Sequence, residues 1–245
     1  MNSFRDYEPF AWLYTHYWGK NFHQQIMPAL ERVVLSQLPP RAAVLDLCCG
    51  DGRLTEKLHH RGFRTTGLDG SPRMLSYARE RCPQVELLLE DAREFDLPPR
   101  FEAVISTFDS LNHVLRTEDL RKVFSNVQRC LKPGGVFVFD LNGEPVYRER
   151  WCNPGSLVNE EVVSVSRGEY NSRRRLARCD ITLLCRQNGQ WTRSDFQLVQ
   201  KCHAKEIVAR LLQKTGFSVS VYEAAKVGME GDFNYGRDIY VGRVS

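Results

Sequence analysis

The 245-residue sequence has no apolar run long enough to cross a membrane. Its longest hydrophobic stretch, near GGVFVFDL, has the length of a buried strand, whereas a membrane-spanning helix needs about 20 consecutive apolar residues. The first residues, MNSFRDYEPF, contain no apolar segment of the kind found in secretion signals. We therefore expect a cytoplasmic protein that does not associate with membranes.

The cysteine spacing of a metal or redox site is also missing. The eight cysteines include no C-x-x-C pair, the spacing typical of zinc ligands and of thioredoxin-like redox sites. Cys48 and Cys49 are adjacent and cannot both reach one ion without strain, and the nearest imidazoles along the chain are His59 and His60. We therefore expect reduced cysteines that serve as small apolar residues, and no metal site.

Neither sign of charge is in large excess. The formal net charge is +4, and 42% hydrophobic with 26% charged residues is typical of a globular domain. One charge cluster stands out, formed by Arg173, Arg174, Arg175 and Arg178. A solvated hairpin end is the simpler interpretation of this cluster. A site for an acidic small molecule or for RNA phosphates stays open, and RNA binding predicts affinity that falls steeply with salt.

Strand-like and helix-like segments alternate between residues 41 and 141. The last strand candidate, VFVFDL, is apolar throughout, as expected of a strand buried on both faces. Regular alternation of this kind is typical of an α/β protein with a parallel, doubly wound sheet. The strand candidates are residues 42–47, 63–69, 85–91, 101–107 and 136–141, and the helix candidates between them are residues 53–62, 71–82 and 117–132.

Prolines and hydroxyl residues mark several helix boundaries. Ser71 followed by Pro72 forms an N-cap and first-turn pair typical of a helix start. Thr117 is the expected cap of the helix that follows it. Ahead of the sheet, residues 8–38 are expected to be helical, bent or restarted at Pro28.

The pattern changes after about residue 142. Residues 160–170, 175–185 and 191–200 alternate polar and apolar side chains as antiparallel strands do, and Asn188-Gly189 favours a hairpin turn between the last two. A helix is expected over residues 203–217, followed by strands over residues 217–223 and 236–244. We therefore expect a helical cap over residues 1–40 and a main domain over residues 41–245, with a β-rich insertion at about 143–202.

The stretch VLDLCCGDG, residues 44–52, ends a strand in a glycine turn before a helix. A dinucleotide site would need G-x-G-x-x-G, but Thr55 takes the third glycine position and Asp46 would repel a pyrophosphate. An NAD-dependent oxidoreductase is therefore the least favoured interpretation. An acid before the turn instead suits the cationic end of S-adenosylmethionine.

Acidic residues follow three successive strand candidates. Asp46 lies in the first, Asp69 closes the second, and Asp91 with Ala92 follows the third. The carboxyl ends of parallel strands meet at one edge of the sheet, where the last two acids can accept hydrogen bonds from ribose hydroxyls and an adenine amine. Each acid alone could be a turn residue, but the series favours a shared site.

These motifs resemble those of the class I S-adenosylmethionine-dependent methyltransferases over about residues 40–141. In the first motif Asp46, Gly50 and Gly52 fit the family pattern, while Cys48 replaces a glycine. That departure is mild as long as the backbone there does not require glycine. The resemblance implies a three-layer Rossmann-like sheet, mostly parallel with an antiparallel last strand, plus an antiparallel β insertion after the fifth strand.

The resemblance also assigns residues to the cofactor. GLDGSPRML is similar to the family's second motif, which implies Asp69 and Gly70 at the ribose and Met74 beside the adenine. EDAREFDL is similar to the adenine motif, which implies roles for Asp91 and Ala92. The implied cofactor is S-adenosylmethionine.

The exit of the fourth strand, STFDSLNHVL, lacks the Pro-Pro-aromatic signature of base-amine methyltransferases. It resembles the small-molecule branch that includes glycine and amino-sugar N-methyltransferases, and the resemblance implies that Tyr14 touches the cofactor or the acceptor. We expect His113 to orient or deprotonate the acceptor. Asp109 and Asn112 could shape the same pocket or only a turn, and Tyr235 could reach it from the loop before the last strand.

The expected activity is transfer of a methyl group from S-adenosylmethionine to a nitrogen or oxygen of a small-molecule acceptor. An amine acceptor needs only to arrive deprotonated, whereas a hydroxyl acceptor needs a general base. Two alternatives remain open. One is an RNA methyltransferase, disfavoured by the missing signature and the modest charge. The other is a partner subunit that binds the cofactor without catalysis.

Overall fold

A seven-stranded sheet and a separate four-stranded sheet organise the computed structural model, which describes residues 8–187 and 189–244. The strands are β1 Ala43–Leu47, β2 Arg64–Asp69, β3 Glu86–Leu89, β4 Phe101–Ser106, β5 Leu131–Asn142, β6 Gly155–Val158, β7 Val162–Asn171, β8 Leu176–Gln187, β9 Gln190–Lys201, β10 Phe217–Glu223 and β11 Arg237–Val244. The large sheet has the order β10-β11-β5-β4-β1-β2-β3. Its strands β1 to β5 are parallel, while β11 runs antiparallel to both β5 and β10. The expected mostly parallel sheet with an antiparallel last strand is thus confirmed.

The helices are α1 Glu8–Leu13, α2 Phe22–Val33, α3 Arg53–His60, α4 Pro72–Arg81, α5 Thr117–Cys130, α6 Glu144–Val146 and α7 Lys205–Lys214. Helices α5 and α7 pack on one face of the large sheet, and α2 and α3 pack on the other. Five-residue π-helical turns, Tyr14–Trp18 and Tyr147–Trp151, extend α1 and α6.

Strand β5 shows how the sequence builds three layers. Phe137 and Phe139 pack with α5 and α7 in one apolar cluster, whereas Val136 and Val138 pack with α2 and α3 in another. Successive side chains of a strand point to opposite faces, so a strand covered on both sides must be apolar at every position. The continuous run VFVFDL is therefore explained by two cores rather than one.

The insertion sheet pairs in the order β6-β7-β8-β9, antiparallel throughout. One face of β8, including Ile181 and Leu183, packs with Phe10 and Leu13 of the α1 segment and with Met74 of α4. This contact joins the N-terminal segment to the insertion above the large sheet. In the predicted turn between β8 and β9, Gly189 has a φ of +80°, while Asn188 lies outside the described residues.

Some local predictions were wrong. Thr117 is the first residue of α5 rather than its cap, and the preceding Arg116 forms no side-chain cap bond. Helix α2 runs through Pro28, and the helical segment restarts earlier, at Asn21. The insertion begins with α6 and its π-helical turn, and β6 was not anticipated. Ser71 does cap α4, accepting a hydrogen bond from the Met74 N–H at 3.2 Å.

Candidate active site

A cavity of about 820 Å³ lies at the carboxyl edge of the large sheet. It runs from the ends of β1, β2 and β3 past the exit of β4 to the inner face of the insertion sheet. Cavities of this size hold small-molecule ligands. The structure brings together at this cavity all the residues predicted to bind the cofactor or to act on the acceptor, namely Tyr14, Asp46, Cys48, Gly50, Asp69, Gly70, Met74, Asp91, Ala92 and His113.

Asp46 is a buried acid at the floor of this cavity, with 2% of its surface exposed. The Thr55 hydroxyl donates a hydrogen bond to its carboxylate at 2.6 Å. Burial raises the pKa of Asp46 to about 7; the Thr55 hydrogen bond opposes this rise, and the charges of Asp69 and Asp51 add to it. A cationic group bound beside Asp46 would stabilise its ionised form.

The glycine turn and the end of β2 are locked to each other by Asp69. Its carboxylate accepts hydrogen bonds from the Gly50 N–H at 2.9 Å and from the Ser71 N–H at 2.8 Å. Burial raises the pKa of Asp69, and these two backbone hydrogen bonds oppose that rise. Gly50 has a φ of +55°, and a Cβ added to it would lie 3.8 Å from the Tyr14 ring and 3.9 Å from the Met74 sulfur.

Cys48 departs from the expectation for the first motif. Its φ is +59°, which is the left-handed conformation that favours glycine. Cysteine in place of glycine is therefore not a mild departure here, because the backbone has a conformation that favours glycine. The half-buried Cys48 holds a strained backbone. Burial raises the pKa of its thiol, and the charges of Asp69 and Asp46 add to this, so the thiol stays protonated.

Asp51, the acid between the two glycines, holds the turn rather than facing the cavity. It is fully buried and forms ion pairs with Arg53 at 2.9 Å and Arg81 at 3.3 Å. Arg53 also donates a hydrogen bond to the Thr15 carbonyl at 2.7 Å. The N-terminal helical segment is thereby tied directly to the first motif.

Asp91 reaches the cavity with its carboxylate already engaged. The Arg93 N–H donates to it at 2.8 Å, and the Arg93 guanidinium donates at 2.9 and 3.0 Å. Burial raises the pKa of Asp91, but the hydrogen bonds from Arg93 outweigh this effect and lower it. The carboxylate is thus held ionised at the wall where an adenine amine is expected.

Aromatic side chains form the wall between the first motif and the exit of β4. The rings of Phe22 and Phe108 stack at 4.0 Å, and the Tyr14 ring lies 5.5 Å from Phe108. Burial raises the pKa of Tyr14 well above its usual value, and the charges of Asp51 and Asp109 add to this. Tyr14 therefore presents a neutral hydroxyl.

A buried ion-pair network joins the exits of β4 and β5 to the start of β11. Arg237 donates to Asp109 at 2.8 Å and also pairs closely with Asp140. Asp140 accepts hydrogen bonds from the N–H groups of Phe108 at 2.8 Å and Asp109 at 3.0 Å. This network was missed by sequence reasoning. Its available signal was Asp140 itself, because a charge inside an apolar strand requires a partner.

His113 lies at the cavity with its imidazole held by protein groups. Its Nε2 atom is 3.0 Å from the Nε2 atom of Gln200, which also donates to Asp109 at 2.6 Å. Burial lowers the pKa of His113, opposed by the charge of Asp109 and by a hydrogen bond with the backbone of Val199. Gln200 was not anticipated, and the signal for it was a polar residue at an inward position of β9.

The other predicted pocket residues divide between the cavity and the structure around it. Tyr235 lines the cavity, and its hydroxyl donates to Glu149. Asn112 is fully buried away from the cavity lining, and it holds the backbones of Asn142 and Lys201. Of the two roles expected for Asn112, shaping the pocket or shaping a turn, these contacts support the structural one.

The arginine cluster is partly neutralised within the protein. Arg175 donates to the Cys202 carbonyl at 2.8 Å and pairs with Glu144 at 3.5 Å. Arg178 pairs with Glu169 at 3.0 Å. These contacts account for two of the four arginines, in agreement with the simpler interpretation of a hairpin end.

The part of the chain that the structure describes contains neither a membrane-spanning helix nor a metal-ligand cluster. No helix there combines the length and apolar character that crossing a membrane requires. No three potential metal-ligating side chains among the same residues are grouped as a metal site. The eight cysteines are all free thiols.

Comparisons with known proteins agree with this geometry. A family profile described as "Methyltransferase domain" matches residues 44–135. The dTDP-3-amino-3,4,6-trideoxy-alpha-D-glucopyranose N,N-dimethyltransferase of Streptomyces venezuelae is 30% identical over 181 residues, covering 72% of this chain and 76% of that enzyme. The match to dTDP-4-amino-2,3,4,6-tetradeoxy-D-glucose N,N-dimethyltransferase of Saccharopolyspora spinosa, 32% identical, covers only 44% of each chain.

Among solved structures, the fold is similar to CalS10, an amino pentose methyltransferase from Micromonospora echinaspora determined with S-adenosylmethionine bound. The TM-score is 0.74, with 27% identity over 93% of both chains. The extended match to the Streptomyces venezuelae enzyme and the motifs at the cavity lead to one conclusion. The chain belongs to the S-adenosylmethionine-dependent methyltransferase family.

Proposed function

We propose that this chain transfers a methyl group from S-adenosylmethionine to an amine nitrogen of a small-molecule acceptor. The observation that carries this proposal is the continuous cavity of about 820 Å³, which joins three acidic strand ends to the inner face of the insertion sheet. Half of this space suits the cofactor and the other half suits a small acceptor. The N-methylated amino sugars in the names of the relatives support the choice of nitrogen.

The residues at the first half of the cavity fit the cofactor. Asp69 offers a carboxylate at the ribose position, Asp91 offers one at the adenine position, and Asp46 offers one where a cation is expected. The left-handed turn at Gly50 leaves space that a side chain would fill. When bound, S-adenosylmethionine supplies a methyl carbon activated for in-line displacement.

The second half of the cavity fits an uncharged amine better than a hydroxyl acceptor. A hydroxyl would need a general base, but Asp109 is held by Arg237 and Gln200, and the Nε2 atom of His113 faces Gln200. Tyr14 presents a neutral hydroxyl that can accept a hydrogen bond from an amine N–H and so orient the nitrogen lone pair. The protein's task is alignment and exclusion of water.

The insertion forms the roof of the acceptor half in this proposal. Trp151 and Leu198 line the cavity from the insertion, and Phe10 and Trp18 line it from the N-terminal segment. These side chains belong to one apolar cluster that joins the N-terminal segment to the insertion, and we propose that residues 1–40 form a helical cap and residues at about 143–202 the roof. A roofed cavity suits a small acceptor better than RNA.

The test is release of S-adenosylhomocysteine from the purified chain supplied with S-adenosylmethionine and paired acceptors. Each pair contains an amine and the hydroxyl compound of the same skeleton, drawn from amino sugars, amino acids and simple amines. We expect turnover with at least one amine, none with its hydroxyl partner, and loss of turnover in Asp69→Ala. Turnover with RNA that falls with salt would favour the RNA alternative. Cofactor binding without turnover on any acceptor would favour a non-catalytic subunit.

A further inference from the structure

Gln200 joins the insertion sheet to the exit of β4 through three side-chain contacts. It lies on β9 and is 2% exposed. Its carbonyl oxygen accepts a hydrogen bond from the Tyr147 hydroxyl at 2.8 Å, and its amide nitrogen donates to Asp109 at 2.6 Å. The same amide nitrogen lies 3.0 Å from Nε2 of His113.

These contacts determine which nitrogen of His113 carries the proton. An amide nitrogen has two hydrogens and no lone pair to offer. The Asp109 carboxylate, which also pairs with Arg237 at 2.8 Å, takes one of these hydrogens. The other hydrogen requires a lone pair on His113 Nε2, so the proton of the neutral ring is on Nδ1. Turning the amide over would set its oxygen against the Asp109 carboxylate, with no hydrogen between them.

Two further observations agree with this assignment. The His113 ring forms a hydrogen bond with the backbone of Val199 that favours a protonated nitrogen, as an Nδ1–H donating to a carbonyl would. Burial at the same place lowers the pKa of His113, which keeps the ring neutral.

We infer that Gln200 is a positioning residue that holds His113 as the neutral Nδ1–H tautomer and occupies its Nε2 lone pair. With both ring nitrogens engaged, His113 borders the acceptor in the cavity without taking its proton, a role that rests on the proposed methyl transfer. The tautomer itself does not depend on which reaction the chain catalyses. His113 is then not the base that deprotonates the acceptor, and Gln200 belongs to the site.

The direct test is nitrogen-15 NMR of the histidine rings in the full chain without ligand, between about pH 5 and pH 8. His113→Asn identifies the His113 signals by their loss. We expect an unprotonated Nε2 and a protonated Nδ1 at neutral pH, with the ring titrating below the usual histidine range. An Nε2–H tautomer, or a charged ring near neutral pH, would overturn the inference.

Gln200→Glu and Gln197→Glu form a matched pair on β9. Gln197 donates to Asp180 at 2.6 Å much as Gln200 donates to Asp109, but it is exposed and belongs to no part of the site. Gln200→Glu should protonate Nε2 of His113 and raise the pH at which the ring titrates, whereas Gln197→Glu should leave the His113 spectrum unchanged. An unchanged spectrum in folded Gln200→Glu would contradict the inference, and the wild-type spectrum decides the question if that variant does not fold.

Activity provides a separate readout once an acceptor is known. His113→Asn should lower kcat/KM by about tenfold and keep the wild-type pH profile, because a lost general base costs about 10²–10⁴-fold and removes a limb of that profile. A loss of that larger size, with a missing limb, would overturn the inference. Absence of any methylated acceptor would instead count against the proposed function, since the spectrum is measured without substrate.

Discussion

Asp46 is a buried acid whose ionisation depends on the charge of what binds beside it. Its pKa of about 7, raised first by burial, means that it is largely protonated at pH 6 and largely ionised at pH 8. S-adenosylmethionine and S-adenosylhomocysteine differ by the methyl group and by the positive charge on sulfur. Only the ionised carboxylate attracts that charge.

The affinity for S-adenosylmethionine relative to S-adenosylhomocysteine should therefore rise severalfold between about pH 6 and about pH 8. Titration calorimetry with both ligands at each pH measures this ratio. In Asp46→Asn the ratio should be the same at both values, with Thr55 still able to donate to the amide oxygen. A wild-type ratio independent of pH would show that the sulfur does not bind near Asp46.

His23 is a second residue whose burial sets a pH dependence. It is 4% exposed, and burial, together with the charge of Arg53, lowers the pKa of His23 from 6.5 to about 3. Below about pH 6.5 the unfolded chain binds a proton that the folded chain does not. The contribution of His23 to the free energy of unfolding is thus fully present above pH 6.5 and is lost as the pH falls toward 3.

Replacing His23 with Phe removes this proton uptake. Between about pH 7 and about pH 5, the free energy of unfolding should fall by about 2 kcal/mol less in His23→Phe than in the wild type. Urea denaturation at the two pH values measures the difference. His60→Phe, at an exposed position of α3, is the control for replacing a histidine with phenylalanine. An equal change in the free energy of unfolding between the two pH values in His23→Phe and wild type would refute the prediction.

At the scale of elements, β7 and the π-helical turn Tyr147–Trp151 approach each other closely. A Cβ on Gly168 of β7 would lie 1.8 Å from the backbone oxygen of Trp151 and 2.7 Å from its ring. Only glycine permits this approach of the π-helical turn to the strand. Trp151 lines the cavity in the half proposed for the acceptor, whereas Asp46 and Asp69 lie on the other sheet.

Gly168→Ala should therefore weaken acceptor binding while leaving cofactor binding intact. Displacing the turn costs about 1–3 kcal/mol of overpacking, and we expect the KM for the acceptor to rise with little change in the dissociation constant of S-adenosylhomocysteine. Steady-state kinetics and titration calorimetry measure the two quantities. Glu169→Ala, at the next and exposed position, is the control, and equal weakening of both ligands in Gly168→Ala would count against separate halves.

At the scale of the whole molecule, the cofactor should stabilise the folded chain. A ligand present at about 100 times its dissociation constant adds about 2.7 kcal/mol, and each kcal/mol is worth about 2–4 °C in a chain of this length. We expect S-adenosylmethionine and S-adenosylhomocysteine to raise the melting temperature by several degrees, NAD to have no effect, and Asp69→Ala to lose the response. A shift with NAD alone would contradict the proposed cofactor.

Much of the fold could be predicted from local patterns. The alternation of apolar strands and amphipathic helices indicated the parallel sheet, because a strand covered by helices on both faces has to be apolar throughout. The acids at the ends of β1, β2 and β3 could be placed together for a related reason, since parallel strands bring their carboxyl ends to one edge. The sequence by itself therefore determined that these three acids would lie together at one edge of the sheet, where the cavity is found.

The tertiary structure alone decided which residues surround the part of the cavity that we propose for the acceptor. Arg237 meets Asp140 from 97 positions away, and Gln200 meets His113 from 87. Contacts between residues so far apart in the sequence produce no local sequence pattern. They depend on how the insertion sheet and β11 pack against the exit of β4. The left-handed backbone of Cys48 was hidden for the same reason, because a single residue type does not reveal the φ that the surrounding packing imposes.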